Sequence, residues 1–219
     1  FDGSSPSLII LLGEGNGEFT LSADSPIGLG EPHISMTAGD FNLDGKPDVV
    51  VATNQGNVII LLGNGNGGLT ASANSPIFLG AGRNHVVTAD FNREGKPDLA
   101  LMNIDFGDVI ILLGNGSGGF TQPAGSPISI GLQAQALAVG DFNLDGKPDI
   151  VTTNRPSKAI ILLGDGSGGF SQAVGSPISL SFSPNSVAVG EVNLDGKPDL
   201  VLAGSFFYYI TIIQGDGST

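Results

Sequence analysis

The chain alternates short apolar runs with turns rich in Gly, Pro, Asn and Asp. In one representative stretch the apolar runs cover residues 136–139, 149–153, 159–163 and 177–180. These runs are about four to six residues long, are rich in β-branched residues, and lack the i, i+3, i+4, i+7 spacing of an amphipathic helix. The pattern therefore predicts short antiparallel strands and no helices.

The strands belong to a repeat of 50 to 51 residues. An apolar run ending in Leu-Leu-Gly places its glycine at Gly13, Gly63, Gly114 and Gly164, and a degraded copy ends at Gly215. A Ser-Pro-Ile triplet keeps the same register, with its prolines at Pro26, Pro76, Pro127 and Pro177. An acidic loop, described below, also keeps this register. Three markers in one register indicate one repeated structural unit.

Each unit is predicted to contain four short strands. The strands are apolar without alternation, which indicates burial on both faces, as in small sheets that stack on one another. Four-stranded units with a period of roughly 40 to 50 residues are typical of propeller blades. We therefore expect an all-β, β-propeller-type array of four-stranded antiparallel blades in one domain, residues 1–219. Its expected units are a partial blade at 1–32, blades at 33–82, 83–133 and 134–183, and a partial blade at 184–219.

The two ends of the chain do not add up to one ordinary blade. The chain begins with the last two strands of a unit and ends with the first three of another, so about 17 strands are expected, which is not a multiple of four. Three outcomes follow: a fragment of a longer propeller, a closed ring with a redundant strand, or an open arc completed by another chain. We expect self-association through residues 8–12 and 206–213, giving an oligomer or a filament. Four adjacent aromatic residues at 206–209 favour a contact surface there.

Composition and charge exclude several function classes. Hydrophobic residues make up 40% of the chain, which is enough for a core. The formal net charge of −13 opposes binding to nucleic acid and to anionic membranes. No apolar run approaches the roughly 18 residues that cross a bilayer. With no Cys and only two His, thiolate chemistry and a His-rich zinc site are excluded, and hard cations bound through oxygen remain.

The strongest chemical signal is a nine-residue acidic loop that occurs once per unit. Its first copy reads Asp-Phe-Asn-Leu-Asp-Gly-Lys-Pro-Asp over residues 40–48, and the others cover residues 90–98, 141–149 and 191–199. Oxygen-bearing side chains occupy positions 1, 3, 5 and 9, and Gly occupies position 6. Alternate residues of a tightly curled loop point inward, so these oxygens and the carbonyl of position 7 are expected to converge on one Ca²⁺.

The candidate ligands form four sets of five, in which Lys supplies only its main-chain oxygen and its ammonium is expected to face solvent. They are Asp40, Asn42, Asp44, Lys46 and Asp48; Asp90, Asn92, Glu94, Lys96 and Asp98; Asp141, Asn143, Asp145, Lys147 and Asp149; and Glu191, Asn193, Asp195, Lys197 and Asp199. Up to four calcium ions are therefore expected, one per loop.

Charge arithmetic favours an ion in these loops. Twelve of the 21 acidic residues lie at positions 1, 5 and 9, where they repel one another unless a cation is present. Magnesium suits the loop less well, because it retains its waters more strongly. The alternative is an ordinary acidic turn, since Asp, Asn and Gly are common turn residues. Glu94 and Glu191 replace Asp and are expected to shift or weaken the ion in the second and fourth loops.

The acidic loop, the Val/Ile/Leu strand after it and the turn Leu-Leu-Gly-Asn-Gly-Ser-Gly-Gly-Phe resemble the FG-GAP/VCBS repeats of bacterial surface proteins. They are also similar to the calcium-bearing blades of integrin alpha-chain propellers. The resemblance covers nearly the whole chain. It implies a β-propeller with calcium between the first two strands of each blade. It also implies an extracellular or cell-surface setting and roles in adhesion or ligand recognition.

Other sequence signals are weaker. The Gly-rich turns superficially suggest phosphate cradles, but neither Lys-Ser/Thr nor a helix follows them, so long hairpin turns explain them better. The sequon Asn115-Gly116-Ser117 marks a glycosylation site or a chance match in a turn of this composition. Aromatic residues after the turns and inside the loops are expected to pack between neighbouring blades. They are Phe19, Phe120 and Phe170 after the turns, and Phe41, Phe91 and Phe142 in the loops.

No catalytic constellation appears, because metal binding already accounts for every acidic cluster. The sequence therefore predicts a non-enzymatic, secreted calcium-binding repeat module, bacterial by resemblance, for adhesion, surface recognition or self-assembly. The alternatives are a lectin-like propeller that binds glycans between blades and an accessory domain of a larger secreted enzyme. The expected partners are further copies of the chain and a glycan or surface-protein ligand, without nucleic acid or membrane insertion.

Overall fold

The computed structural model describes residues 6–80, 82, 84–131, 133–204 and 210–217. In this part of the chain every regular element is a β-strand and every strand pair is antiparallel, as predicted. The structure contains three full blades, preceded by a half unit and followed by a partial blade. The aromatic run at 206–209, a predicted contact surface, lies outside the described residues.

The strands follow the repeat closely. The half unit contains β1 (Ser7–Leu8), β2 (Leu11–Gly13), β3 (Phe19–Leu21) and β4 (Ile27–Gly28). Blade 1 contains β5 (His33–Gly39), β6 (Asp48–Thr53), β7 (Asn57–Gly63), β8 (Leu69–Ala71) and β9 (Ile77–Phe78). Blade 2 contains β10 (Asn84–Ala89), β11 (Asp98–Asn103), β12 (Asp108–Gly114), β13 (Phe120–Thr121) and β14 (Ile128–Ser129). Blade 3 contains β15 (Ala134–Gly140), β16 (Asp149–Asn154), β17 (Lys158–Gly164), β18 (Phe170–Gln172) and β19 (Ile178–Ser179). The partial blade contains β20 (Ser186–Gly190), β21 (Asp199–Ala203) and β22 (Ile210–Ile213).

The outer strand of each blade differs from the prediction. Blade 1 has the order β5-β6-β7-β8, and β9 also pairs with β7. The fourth strand is therefore two short pieces on the same edge of the third strand, and the same holds in blades 2 and 3. The apolar pattern predicted only the second piece, because the first follows the Gly-rich turn and contains too few apolar residues to form a run.

The Ser-Pro-Ile marker lies at the interruption between the two pieces. The Ser75 hydroxyl accepts a hydrogen bond from the Ile60 backbone N–H at 2.9 Å. It thereby satisfies a third-strand donor where the ladder is broken. The bond recurs at Ser25 and Ile10, Ser126 and Ile111, and Ser176 and Ile161, at 2.7 to 2.9 Å. The Ser-Pro peptide bond is cis in all four copies.

The core lies between stacked blades, as the continuous apolar strands predicted. All six residues of β11 are buried, with alternate side chains packed against blade 1 and blade 3. Aromatic pairs bridge successive blades: the ring centroids of Phe41 and Phe120 are 5.8 Å apart, and those of Phe91 and Phe170 are 5.5 Å apart. Phe19 is 66% exposed and packs against no other blade among the described residues.

The array is open rather than closed into a ring. Among the described residues, the half unit forms two two-stranded sheets and the partial blade one three-stranded sheet, and no strand of one pairs with a strand of the other. The β2 strand pairs with β3, and β22 pairs with β21. Each end of the array therefore exposes one face of a sheet and one unpaired strand edge.

The glycine that ends each Leu-Leu-Gly run is required by close packing. A Cβ at Gly63, Gly114, Gly164 or Gly215 would overlap the carbonyl oxygen of the proline in the acidic loop of the same unit. The obstacle is main chain, which cannot rotate away as a flexible side chain can. The marker glycine therefore allows the third strand to lie directly against the acidic loop.

Substituting this glycine is expected to destabilise the fold. Gly114→Ala should lower the free energy of unfolding by about 1–3 kcal/mol, the usual cost of overpacking. Chemical denaturation measures this loss. Gly190→Ala is the matched control, because Gly190 also ends a strand, and a Cβ there would have no atom within 4 Å. Equal stabilities of the two variants would contradict the packing argument.

Candidate metal-binding loops

The acidic loops connect the first and second strands of each blade. In blade 1 the loop follows β5, which ends at Gly39, and its last residue, Asp48, begins β6. Position 4 adopts a left-handed conformation in all four loops, with φ of 59° to 62° at Leu43, Arg93, Leu144 and Leu194. Sequence reasoning missed this position, because Leu and Arg carry no signal for a positive φ.

The side chains of positions 1 and 3 meet inside the loop. An oxygen of Asp40 and the amide oxygen of Asn42 both accept the Asp44 backbone N–H at 3.0 Å. Two acceptors on one donor must lie close together. The same convergence occurs in the second and third loops, with distances of 3.0 to 3.2 Å. Two of the predicted oxygen donors are therefore brought together in three successive blades.

The position 5 carboxylate faces the lysine of its own loop. Lys46 and Asp44 are 3.3 Å apart, Lys96 and Glu94 2.9 Å, and Lys147 and Asp145 2.8 Å. The expectation that these ammonium groups simply face solvent is therefore wrong for three lysines, which are only partly exposed. The hydrogen bond from the Lys147 ammonium lowers the pKa of Asp145 below its ordinary value. A cation of the protein itself thus pairs with position 5.

The position 9 aspartate is buried and joins three segments. One oxygen of Asp48 accepts the Phe41 N–H at 2.8 Å, and the other accepts the Gly63 N–H at 2.7 Å. Asp48 therefore links position 2 of the loop, the start of the second strand and the end of the third strand. Asp98, Asp149 and Asp199 make the same two bonds in their units. Sequence reasoning assigned these residues to the ion alone and missed this structural role.

The position 9 carboxylates differ in how strongly their charge is stabilised. Burial raises the pKa of Asp149, and repulsion from Asp145 and Asp141 adds to the shift. Burial likewise raises the pKa of Asp98. In the partial blade, the hydrogen bonds from the Val192 and Gly215 N–H groups outweigh burial and lower the pKa of Asp199.

The donor chemistry of the first three loops fits calcium. Among the described residues, no three His, Cys, Asp or Glu side chains already gather as a metal-binding group. The side-chain oxygens are nevertheless the carboxylate and amide donors that Ca²⁺ prefers. Each carboxylate oxygen that accepts one N–H keeps a second lone pair. To join them, the position 5 carboxylate would have to leave its partner, the partly exposed ammonium.

The fourth loop departs from this geometry, because Glu191 is one methylene longer than Asp. Its oxygens accept the N–H groups of Asn193 at 3.1 Å, Leu194 at 2.6 Å and Gly196. In the other loops, position 1 accepts the N–H groups of positions 5 and 6, so the fourth loop keeps the bond to position 6 and exchanges the bond to position 5 for bonds to positions 3 and 4. The longer side chain has therefore changed the hydrogen bonding of the loop, and weaker ion binding there stays a prediction.

The Asn115 side chain of the sequon stabilises its turn. Its amide oxygen accepts the N–H groups of Ser117 at 2.8 Å and Gly119 at 3.1 Å. Asn64 and Asp165 do the same in the neighbouring blades. The residue type is therefore explained by turn geometry, and glycosylation stays a prediction.

Removing the charge at position 9 is expected to destabilise the partial blade. In EDTA at neutral pH, Asp199→Asn should lower the free energy of unfolding by about 1–3 kcal/mol, because an amide offers one acceptor oxygen to two N–H donors. Folding lowers the pKa of Asp199, so the ionised carboxylate stabilises the folded protein at pH values above the ordinary pKa of aspartate. This stabilisation is lost as the pH falls through the pKa of Asp199 in the folded protein. The difference in free energy of unfolding between variant and parent, measured with denaturant, should therefore become smaller in acid.

Asp149→Asn is the matched comparison for this experiment. It should cost less than Asp199→Asn, because the Asp149 charge is already disfavoured by burial and by neighbouring carboxylates. A variant at Asp199 that is as stable as the parent at neutral pH would contradict the structural role of position 9.

Several solved structures share this fold at low sequence identity. An Agrocybe aegerita lectin that recognises non-reducing terminal N-acetylglucosamine is 16% identical, with a TM-score of 0.62, over 96% of this chain and 61% of the lectin chain. BBS1N, solved in complex with ARL6DN, is 12% identical, with a TM-score of 0.60, over 91% of this chain and 55% of that chain. The chain therefore spans a little over half the length of these proteins, and the likeness shows the fold alone.

Repeat-level similarity is more specific. The FG-GAP-like repeat matches residues 3–51, 40–101, 95–152 and 141–202, whereas no curated protein matches the chain. The matched stretches contain all four acidic loops and the strands on either side of them. Because these matches overlap and cover residues 3 to 202, the chain belongs to the FG-GAP repeat family.

Proposed function

We propose that this chain is a non-enzymatic, calcium-stabilised repeat module that works outside the cell in adhesion or surface recognition. The observation that carries the calcium proposal is the convergence of the position 1 and position 3 oxygens on one N–H in three successive loops. An ordinary acidic turn needs only one such acceptor. Oxygens held together in this way suit a divalent cation.

Charge also supports the proposal. In the third loop the three acidic side chains lie close enough that Asp141 and Asp145 disfavour the charge of Asp149. A bound Ca²⁺ would neutralise this repulsion, and four ions would change the formal charge of the chain from −13 to −5. In the third loop the side chains of Asp141, Asn143, Asp145 and Asp149 and the carbonyl of Lys147 would hold the ion. Calcium would then tie the first strand of a blade to the second.

The family and the acidic surface support the proposed extracellular setting. FG-GAP repeats are typical of extracellular or surface proteins. The described residues contain no helix that is both long and apolar enough to cross a membrane. An acidic array without cysteine suits calcium-rich surroundings, where the loops would be filled. We place the chain on a bacterial surface or in the secreted fraction, as the resemblance to bacterial surface proteins implies.

Calcium is expected to stabilise the protein. Each site should add about 2.7 kcal/mol to the free energy of unfolding when free Ca²⁺ exceeds its Kd a hundredfold. The melting temperature in EDTA, in Ca²⁺ and in Mg²⁺ measures this stabilisation. Mg²⁺ should restore little of the stability that is lost in EDTA. Identical melting curves in EDTA and in millimolar Ca²⁺ would rule out the proposed sites.

A position 5 variant links this effect to one loop. Asp145→Asn should change stability little in EDTA, because it loses only a partly exposed ion pair. In Ca²⁺ the variant should lose most of the stability that calcium binding in the third loop adds. Asp24→Asn, an exposed aspartate outside the loops, is the matched control and should keep the full calcium shift.

Glycan binding is the second candidate function. A cavity of about 430 Å³ lies between blade 3 and the partial blade. Its lining combines an apolar wall, including Phe142 and Val174, with the polar Gln214 and Asp216. Apolar walls with a few polar groups are typical of small-ligand sites. The Agrocybe aegerita lectin of similar fold makes glycans the first ligands to test.

A glycan array tests this second candidate. We expect binding to glycans ending in N-acetylglucosamine, competition by the free sugar, and loss of the signal in Gln214→Ala. Gln55→Ala, which changes an exposed glutamine in the turn between β6 and β7 of blade 1, should bind like the parent. If no glycan on the array is bound, or if Gln214→Ala does not change the binding, this cavity is not a glycan-binding site.

A further inference from the structure

The outer edge of each unit meets the Gly-rich turn of the next unit. We define the rim segment as the residues between the two pieces of the fourth strand, which are 22–26, 72–76, 123–127 and 173–177 in successive units. In all four, the N–H of the marker serine donates to the main-chain oxygen three residues before it, at 3.0 to 3.3 Å. The rim segments therefore share one backbone turn, and their side chains decide how each junction is closed.

The first two rim segments bond directly to the turn of the next unit. The Ser72 hydroxyl donates to the Gly118 main-chain oxygen at 3.0 Å, and the same bond joins the half unit to blade 1 at 2.9 Å. Pro123 replaces this serine in blade 2, and Ala173 replaces it in blade 3. Neither residue has a hydroxyl, so the main-chain oxygen of Gly168 in the next turn does not receive this bond.

A second rim side chain covers the turn at the same two junctions. A Cβ at Gly68 would overlap both the Asp24 carboxylate and the Asn64 amide, so these two side chains meet above Gly68. Asn74 and Asn115 meet in the same way between blades 1 and 2. At both junctions a rim side chain therefore covers the polar residue that follows the marker glycine of the next unit.

The junction between blades 2 and 3 reverses this arrangement. Gly125 stands where blade 1 has Asn74, and Asp165 stands where blade 2 has Asn115. Gly125 has a φ of 91°, a left-handed conformation that glycine adopts without the strain of a side chain. The three atoms nearest to a Cβ at Gly169 would all belong to Asp165, and none to the rim segment. A carboxylate has replaced an amide here, and the side chain that covered it is missing.

A cavity of about 250 Å³ occupies the space that these exchanges open between blades 2 and 3. Its apolar walls are Ile111, Ile128 and Phe170, and its polar atoms include those of Asp165 and Gly168. Both blades at this junction are complete, so the cavity lies between two fully formed sheets.

The same exchange occurs one junction later. Gly175 and Asp216 replace the covering side chain and the amide, and both line the larger cavity between blade 3 and the partial blade. Ile161, Ser176 and Ile178, which also line that cavity, are the counterparts of Ile111, Ser126 and Ile128 in the first. An open cavity therefore accompanies the change from amide to carboxylate at both junctions where it occurs.

The carboxylate of Asp165 offers one oxygen to the cavity. Its Oδ1 accepts the Ser167 N–H at 2.7 Å, the Ser167 hydroxyl at 2.8 Å and the Gly169 N–H at 3.0 Å. Its Oδ2 lies over Gly169, which lines the cavity. In the part of the chain that the structure describes, no ammonium or guanidinium lies within 4 Å of this carboxylate, and Lys147 pairs with Asp145 instead.

The chemistry of this oxygen favours an ammonium as its partner. Burial raises the pKa of Asp165, but hydrogen bonds from Ser167 and Gly169 outweigh burial and lower the pKa below its ordinary value, so the side chain is ionised at neutral pH. A guanidinium binds best to two carboxylate oxygens in parallel, and only one is free here. An ammonium is a compact charge with three donors, which can reach both Asp165 Oδ2 and the Gly168 main-chain oxygen.

The size and walls of the cavity favour a single side chain. Its volume is below the roughly 300–1,000 Å³ of pockets that hold drug-sized ligands. The apolar walls suit an alkyl stem, which a lysine side chain buries readily while its charged end stays at a polar site.

We propose that the cavity between blades 2 and 3 binds a primary ammonium group on an apolar stem, supplied by a lysine side chain of a partner protein or by a small diamine. The ammonium donates to Asp165 Oδ2 and to the Gly168 main-chain oxygen, and the stem packs between Ile111, Ile128 and Phe170. The formal charge of −13 attracts such a ligand. The inference goes beyond the calcium and glycan proposals, because no residue of this cavity belongs to an acidic loop or to the larger cavity.

An NMR titration of the 219-residue chain in EDTA tests the inference without calcium. The probes are lysine blocked at both backbone ends and diaminopentane, and the signals are the backbone N–H groups of Gly125, Gly169 and Ser171. Both probes should shift these signals saturably, and the smaller Kd identifies the source of the ammonium. Blocked norleucine, which has the stem without the charge, should bind about tenfold more weakly, because it makes no charged hydrogen bond.

Variants assign the binding to this cavity. Asp165→Asn should weaken binding about tenfold and keep the turn, because Asn115 makes the same turn bonds in blade 2. Pro123→Ser should also weaken binding, because the new hydroxyl can take the Gly168 main-chain oxygen. Asn115→Asp is the matched control: it adds a carboxylate at a junction that Asn74 covers, so it should create no second site.

Three results would overturn the proposal. The first is the absence of any saturable shift with either amine. The second is binding that is equally strong with blocked norleucine, or unchanged in a folded Asp165→Asn variant. The third is a shift of the same signals by free N-acetylglucosamine and not by the amines, which would make this cavity a glycan site. Circular dichroism of each variant shows whether it is folded.

Discussion

A buried carboxylate holds three segments of every blade together. The position 9 aspartate begins the second strand, accepts an N–H from the acidic loop and accepts another from the glycine that ends the third strand. Both donors are main-chain groups, so the arrangement does not depend on which side chains lie nearby. The loop, the strand after it and the Gly-rich turn are thereby fixed relative to one another. The faces of the blade are left free to stack.

The sequence predicted most of the fold because the repeat is regular and its strands are apolar on both faces. Pairs such as Phe41 and Phe120 were predictable, since each follows a marker that keeps its register. The first piece of the outer strand at Phe170–Gln172 was not predictable, because one aromatic and two polar residues do not form a periodic signal. Phe19 has the same sequence context as Phe120 but is largely exposed, because no other described blade packs on it.

The acidic loop was predictable as a set of oxygen donors but not as a hydrogen-bonded structure. A spacing pattern shows which side chains point inward and does not show whether main-chain N–H groups also use them. Asp48 illustrates the difference: both of its oxygens accept main-chain bonds, although its place in the pattern marks it as a ligand. The pairing of Lys46 with Asp44 could not be predicted from the sequence either, because opposite charges lie close together in many exposed turns without forming an ion pair.

The break in the outer strand has a consequence for how the array tolerates change. Between its two pieces the chain leaves the sheet, and a serine hydroxyl replaces the missing main-chain acceptor. Val174, at the tip of this excursion in blade 3, is almost fully exposed. Added residues at such a tip would extend into solvent without shifting the ladder on either side. Each blade thus carries an insertion point at the rim, where lineages of the repeat can acquire different surface loops on an unchanged core.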